Sequence, residues 1–319
     1  MREALLRELE TEYDQIRAEN ERREQERKER IRREQPEIDR LVREREELVF
    51  GTLRGILSGK AETDNLPERM RRVSAQIREK LAAAGFPEDY LEPIYRCAIC
   101  RDTGRTGETV KEPCECLKKA YQQKLREEIG LNSQRRESFE TFDLSLFPDE
   151  PLPGRSYSQR ILMKKRRDDC EEWAEQYPNG PCRNILLTGP SGLGKTFLMR
   201  AMAEKLIEKD INVLIISAYK LLEIVRKAYF SNEETAEEIT DTEVLMIDDI
   251  GSEPMMQNVT VEQLFNLINE RQNRGLSTII STNLTMPEIQ NRYTERIASR
   301  LRDRNAWKVI TLEGKDIRS

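Results

Sequence analysis

Residues 184–197 read NILLTGPSGLGKTF, and a helix-forming stretch continues to Asp210. An apolar run, a glycine-rich turn and a helix follow one another, and the turn fits G-x-x-x-x-G-K-[ST] in full. Gly189, Gly192 and Gly194 let the backbone curl so that its N–H groups point inward, and the helix start adds partial positive charge. Such a loop cradles phosphates. Lys195 is placed to reach β- and γ-phosphates, and the Thr196 hydroxyl to serve Mg²⁺. The expected nucleotide set is Gly189, Pro190, Ser191, Gly192, Leu193, Gly194, Lys195, Thr196 and Phe197.

Outward from this loop, apolar runs alternate with helical stretches: NVLIIS, EVLMIDDIG, STIISTN and WKVITL, each separated by an amphipathic segment. Alternation of this kind predicts βαβ units and a central parallel sheet. The runs are continuous rather than alternating, as strands buried on both faces require. In VLMIDDIG, four apolar residues carry Asp248 and Asp249 to a strand's end beside the phosphate loop, Asp248 toward Mg²⁺ and Asp249 toward an attacking water. STIISTN ends on Asn283, an amide able to reach a γ-phosphate, with Thr282 as the competing candidate. In RYTERIASRL, Arg292, Arg296 and Arg300 are spaced four apart and so are expected on one helix face, either in intrachain salt bridges or directed at a neighbouring subunit's nucleotide.

Four of the six cysteines lie in CAICRDTGRTGETVKEPCEC, residues 97–116, and the chain has no histidine. Cys97, Cys100, Cys114 and Cys116 can close a tetrahedral Zn²⁺ site. A dithiol redox pair, an Fe–S cluster and unliganded thiols are the competing readings, and C-x-C fits a redox pair poorly. Cys170 and Cys182 lie outside the pattern. Residues 1–50 are dense in Glu and Arg with sparse apolar positions, so a solvated or coiled-coil-like helical arm is expected, broken at Pro36. Residues 66–85 predict another helix, and SFETFDLSLFPDEPLPG at 138–154 a linker. Three parts follow: a helical arm over 1–94, a zinc module with its following helix over 95–137, and the α/β domain over 138–319. Charged residues make up 35% of the chain, with a net charge of −5. That argues against bulk attraction to nucleic acid but leaves room for a local basic groove. No apolar run is long enough for a transmembrane helix. The opening residues lack a signal-peptide h-region, so a cytoplasmic protein is expected.

GPSGLGKT, VLMIDDIG, STIISTN and YTERIASRL together resemble the AAA+ ATPases, and within them the DnaC/DnaI-type replicative helicase loaders and the related IstB transposition ATPases. The resemblance covers roughly residues 138–319. It implies an ATPase using ATP and Mg²⁺, with Thr196 and Asp248 on the metal, Asp249 as catalytic acid/base, Asn283 as sensor 1, and Arg300, with Arg296, as arginine finger. GKDIRS makes Arg318 a sensor-2-like candidate, with no α-helical lid expected after it. The resemblance also implies self-association through the AAA+ domain. It further implies a single-stranded DNA groove along SAYKLLEIVRKAYF, with Lys220, Arg226, Lys227 and Tyr229 (and Phe230) supplying cations and ring faces. The N-terminal extension resembles that of Gram-positive and phage-type loaders and would hold a hexameric replicative helicase. The alternatives are an accessory ATPase of DNA transposition and a nucleotide-binding scaffold.

Overall fold

The computed structural model describes residues 3–57, 66–107, 109–131, 137–231, 237–253 and 259–318. The chain forms two compact units, one of residues 7–117 and one of residues 1–6 with 118–319.

In the first unit, helices α1 (Glu3–Glu34) and α2 (Pro36–Leu57) are separated at Gln35, where the following proline disfavours helical backbone. With α3 (Leu66–Ala83) they enclose a small core of Ile31, Ile38, Val42, Val73, Ile77 and Leu81. A two-stranded antiparallel ribbon, β1 (Arg105–Thr106) and β2 (Glu112–Pro113), carries the cysteines on its flanks. Polar anchors fasten α1 to that ribbon's knuckle. Asn20 Nδ2 donates to Asp102 Oδ2 at 3.0 Å, and Arg17 Nη1 to the Asp102 carbonyl at 3.0 Å. Asp102 is 2% exposed and also accepts from the backbone N–H groups of Arg96 and Cys97. A buried carboxylate persists because three donors hold it, with Arg17 on the adjoining carbonyl, and the arm and knuckle are thereby one body.

The second unit is built on five parallel strands: β3 (Asn184–Thr188), β4 (Val213–Ser217), β5 (Val244–Ile250), β6 (Ser277–Thr282) and β7 (Trp307–Thr311). Their order is β4-β5-β6-β3-β7. The loop strand β3 is therefore interior, between β6 and β7, and β6 lies between it and the strand of the two aspartates. The helices are α4 (Glu115–Glu128), which crosses the division of the units, α5 (Gln159–Gln176), α6 (Lys195–Glu208), α7 (Ala218–Ser231), α8 (Glu237–Asp241), α9 (Val259–Asn273) and α10 (Met286–Leu301). Sequence caps set several ends: Ser158 accepts from Ile161 N–H before α5, and Thr285 with Glu288 forms a capping box before α10. From α4, Arg126 pairs with Glu204 of α6 at 2.9 Å, both partners largely buried. Parallel strands end together at one sheet edge, and chemistry collects there because the loops after β3, β5 and β6 converge.

One sequence expectation is corrected in α10. The helix is kinked at Thr294, at φ 80° and ψ 159°, so Arg292 does not share a face with Arg296 and Arg300. Arg292 turns inward to Glu253. Arg296 and Arg300 lie over the Phe265 ring at 4.5 and 5.1 Å.

Candidate functional site

The turn after β3 takes its shape from glycines that no other residue could replace without strain. Gly192 has φ 75°, and a Cβ there would fall 1.7 Å from Asp316 Oδ1. Gly189 has φ 141°, with the Leu312 carbonyl oxygen 2.2 Å from the position of a Cβ. The loop thus closes against the chain's last segment, where Ile317 N–H donates to the Gly192 carbonyl at 3.2 Å.

Lys195 is 6% exposed and opens α6. Its ammonium donates to the Gly189 and Pro190 carbonyls at 2.6 and 2.7 Å and to Asn283 Oδ1 at 2.6 Å. Burial lowers its pKa from the ordinary lysine value, opposed by the charges of Asp249 and Asp248. A buried ammonium held by neutral acceptors is suited to a polyanion, which would supply the charge these dipoles lack. Thr196 Oγ1 donates to Asp248 at 3.0 Å, which brings a hydroxyl and a carboxylate together as hard oxygen ligands for Mg²⁺. The residues present therefore fit both a nucleotide phosphate and its metal.

Asp249 sits in a register shift of β5 between Ile247 and Ile250, at φ 60°, which is uncommon for a residue with a side chain. The shift lets two successive acids reach the same sheet edge. Asn283, just past β6, donates to Asp249 Oδ1 at 2.8 Å while accepting from Lys195, so it bridges carboxylate and cation. Thr282, the competing candidate, is fully buried and donates to the Ile250 carbonyl at 2.6 Å, where it braces the bulge. Ser281 was not singled out from sequence. Its hydroxyl donates to Asp248 Oδ1 at 2.5 Å and accepts from Asp249 N–H at 2.8 Å. The hydroxyls of the STIISTN run were its signal, but only the strand order places β6 against the acids.

These groups line a cavity of about 400 Å³ with Thr141, Phe142, Asp143, Leu146 and Phe147 from the linker on its far wall. Phe142 lies 5.5 Å from the Phe147 ring and 5.3 Å from the Phe197 ring. Phe139, the linker's first aromatic, is buried at 3% and does not line the cavity. Ser191 and Arg318 line it too, and Arg318 Nη2 donates to Ser191 Oγ at 2.6 Å while Asp316 accepts from Arg318 N–H at 2.8 Å. Arg296 and Arg300 are not among the lining residues. Lys220 is exposed and pairs with Glu223 at 2.8 Å. The side chains of Arg226, Lys227, Tyr229 and Phe230 lie outside the described residues.

The four cysteine sulfurs all lie within 4.8 Å of one another, with Cys97–Cys114 at 3.9 Å and Cys100–Cys116 at 3.4 Å. Tetrahedral Zn–S bonds of about 2.3 Å set sulfurs roughly 3.8 Å apart, so the set fits that ion. Backbone N–H groups of Cys100 and Ile99 draw the Cys97 thiol down to about 7, while burial pushes Cys116 up to about 12. One thiolate is prepared, and a second at such close range calls for a cation. Tyr13 of α1 hydrogen-bonds Cys116.

Comparison with known proteins gives a consistent result. Residues 179–318 match the family of IstB-like ATP binding proteins. The replicative helicase loader DnaI of Bacillus subtilis is 24% identical over 229 residues, covering 65% of this chain and 70% of that protein. The replicative helicase loader DnaC of Escherichia coli is 27% identical over 159 residues, covering 48% of this chain and 61% of that protein. An insertion sequence IS21 putative ATP-binding protein of Pseudomonas aeruginosa is 31% identical over 102 residues, 31% of this chain and 38% of that protein. The chain thus spans less than two thirds of the length of the last two.

Proposed function

From the IstB-like ATP-binding domain that residues 179–318 form, we propose that this protein is an ATPase that loads a replicative helicase onto DNA. The observation that carries the ATPase part is the continuous contact Thr196–Asp248–Ser281–Asp249–Asn283–Lys195 around one cavity. In this reading the turn after β3 and Lys195 bind the β- and γ-phosphates, and Arg318 approaches the same phosphates from the C-terminal strap. Asp249 takes the proton of the attacking water, and Asn283 orients Asp249 and the γ-phosphate. Mg²⁺, held by Thr196 and Asp248, neutralises phosphate charge when bound. Phe142 and its aromatic neighbours offer ring faces for the base. Arg300, with Arg296, reaches a neighbouring subunit's nucleotide, because both lie away from the cavity of their own chain.

The loader reading is favoured over transposition by the reach of the similarity. The match to DnaI covers 65% of the chain, that to the IS21 protein 31%. Unit 7–117 would hold the helicase, with Zn²⁺ fixing its knuckle, and the α7 region with Lys220 would contact single-stranded DNA. A pure scaffold would not need Asp249 and Asn283 poised on one another.

Two measurements test this. ATP hydrolysis with and without single-stranded DNA should fall by roughly 100-fold or more in Lys195→Ala and Asp249→Asn; wild-type turnover no higher than theirs favours the scaffold. The full chain mixed with a hexameric replicative helicase should co-elute from a sizing column; co-elution with a transposase alone would replace the loader by the transposition reading.

A further inference from the structure

The loop leaving β5 and the arginine helix α10 are tied together by one buried carboxylate. Glu253 is 2% exposed. Its Oε2 accepts from Gly251 N–H at 2.8 Å, and its Oε1 accepts from the Tyr293 hydroxyl, itself wholly buried. Arg292 Nε lies 3.7 Å from Oε1, and Arg292 Nη2 donates to the Glu253 carbonyl at 2.5 Å. A carboxylate this deep would be costly alone, and here an amide, a phenol and a guanidinium hold it. The next residue along α10 is Thr294, at φ 80° and ψ 159°. That backbone region is essentially reserved for glycine, and a β-branched residue is strained in it. Beyond the kink, Ile297 and Ala298 are buried and Arg296 and Arg300 stack on Phe265. The strained residue is therefore fixed from both sides. Upstream, Gly251 has φ 110°, a conformation that side chains rarely adopt, and the Leu284 side chain lies within 2.8 Å of a Cβ position.

We propose that Glu253 is a positioning residue: its grip on Arg292 and Tyr293 holds the Thr294 hinge and so sets the direction in which Arg296 and Arg300 are presented, from an anchor four residues past Asp249. This rests on the reading of those two arginines as the groups that complete a neighbouring subunit's site. A strained hinge persists only when its surroundings over-determine it, and Glu253 is the group that supplies this on the N-terminal side. A carboxylate placed here only to satisfy its neighbours would need no strained residue beside it.

The test uses the full chain with Glu253→Gln, Thr294→Gly, their double variant and Arg300→Ala, and reads three quantities. Fluorescent ATP-analogue affinity at low protein concentration should be unchanged in Glu253→Gln, because the residue does not line the cavity. ATP turnover at high protein concentration should fall roughly 10- to 100-fold, as misplacement of a catalytic group does, and Arg300→Ala should show a similar fall. The loss of melting temperature from Glu253→Gln should be smaller in the Thr294→Gly background, where the hinge is no longer strained. If Glu253→Gln does not fold, Tyr293→Phe removes one clamp donor with the ring kept and is read the same way. Wild-type turnover in Glu253→Gln, or an affinity loss as large as the turnover loss, overturns the proposal. If Arg300→Ala turns over like wild type, the arginine reading fails, and the thermal cycle decides the clamp: non-additive losses uphold it and additive losses overturn it.

Discussion

The 32-residue helix Glu3–Glu34 buries Leu9 and Ile31, whereas the five-residue strand Asn184–Thr188 buries all five of its residues. The two units accordingly hold their shape by different physics. In residues 118–319 stability comes from apolar area removed from water, at roughly 25 cal/mol per Å². In residues 7–117 the apolar core cluster is six buried side chains, and the remainder is a carboxylate with three donors, a cation–π contact of Arg27 on Tyr90 at 5.0 Å, and four convergent thiols. Directional contacts of that kind need every partner in place, while a hydrophobic core tolerates local loss.

The largest separation between the units should come from metal. Chelation, or Cys114→Ser, should remove about 10 kcal/mol or more of folding free energy from the first unit and none from the second. Circular dichroism melts with zinc analysis should show an early transition lost and a late one kept; loss of both transitions would mean the units do not fold separately. Leu186→Ala, at the centre of the sheet, should cost about 3 kcal/mol in the late transition alone, read by denaturant titration. Asp102→Asn should cost about 1–3 kcal/mol in the early transition by leaving amide donors without their carboxylate. Gly192→Ala should cost about 1–3 kcal/mol in the late transition alone and abolish nucleotide binding by calorimetry, because the added Cβ meets Asp316 and φ stays positive. Acidification sharpens the same contrast. The Cys97 thiol lies near 7, below an ordinary thiol, so its thiolate is held above that pH and lost as pH falls through it. Zinc retention should drop between roughly pH 7 and 5, while the late transition stays unmoved. Arg22→Ala, which removes the exposed pair with Glu26, should shift neither transition measurably.

Much of the candidate nucleotide site was legible because its residues are contiguous in sequence. A turn that must curl around phosphates needs glycines at set spacings, and two acids at the end of an apolar run announce a strand edge. Contacts between distant segments were less accessible. Ser281 looks like any strand hydroxyl until β6 is known to lie against β5. Arg271 was not singled out from sequence, yet it is fully buried. Its guanidinium donates to the carbonyls of Ile239, Thr240 and Ser277 and to the Thr278 hydroxyl, and burial draws its pKa down to about 10. Helical spacing put Arg292 in line with Arg296 and Arg300, but spacing assumes an unbroken helix, and the Thr294 kink is imposed by tertiary contacts on either side.

By itself, then, the sequence determined the alternation of buried strands and helices, the phosphate loop with its paired acids, and the four-sulfur cluster, because periodicity, glycine placement and thiol spacing act over a few residues. Only the tertiary structure decided that α1 closes on the cysteine knuckle through Asp102, that Asn283 joins Lys195 to Asp249, and that Glu253 seizes the arginine helix. Each of those depends on groups brought together from distant parts of the chain, where a hydrogen bond is fixed by strand order and packing rather than by local spacing.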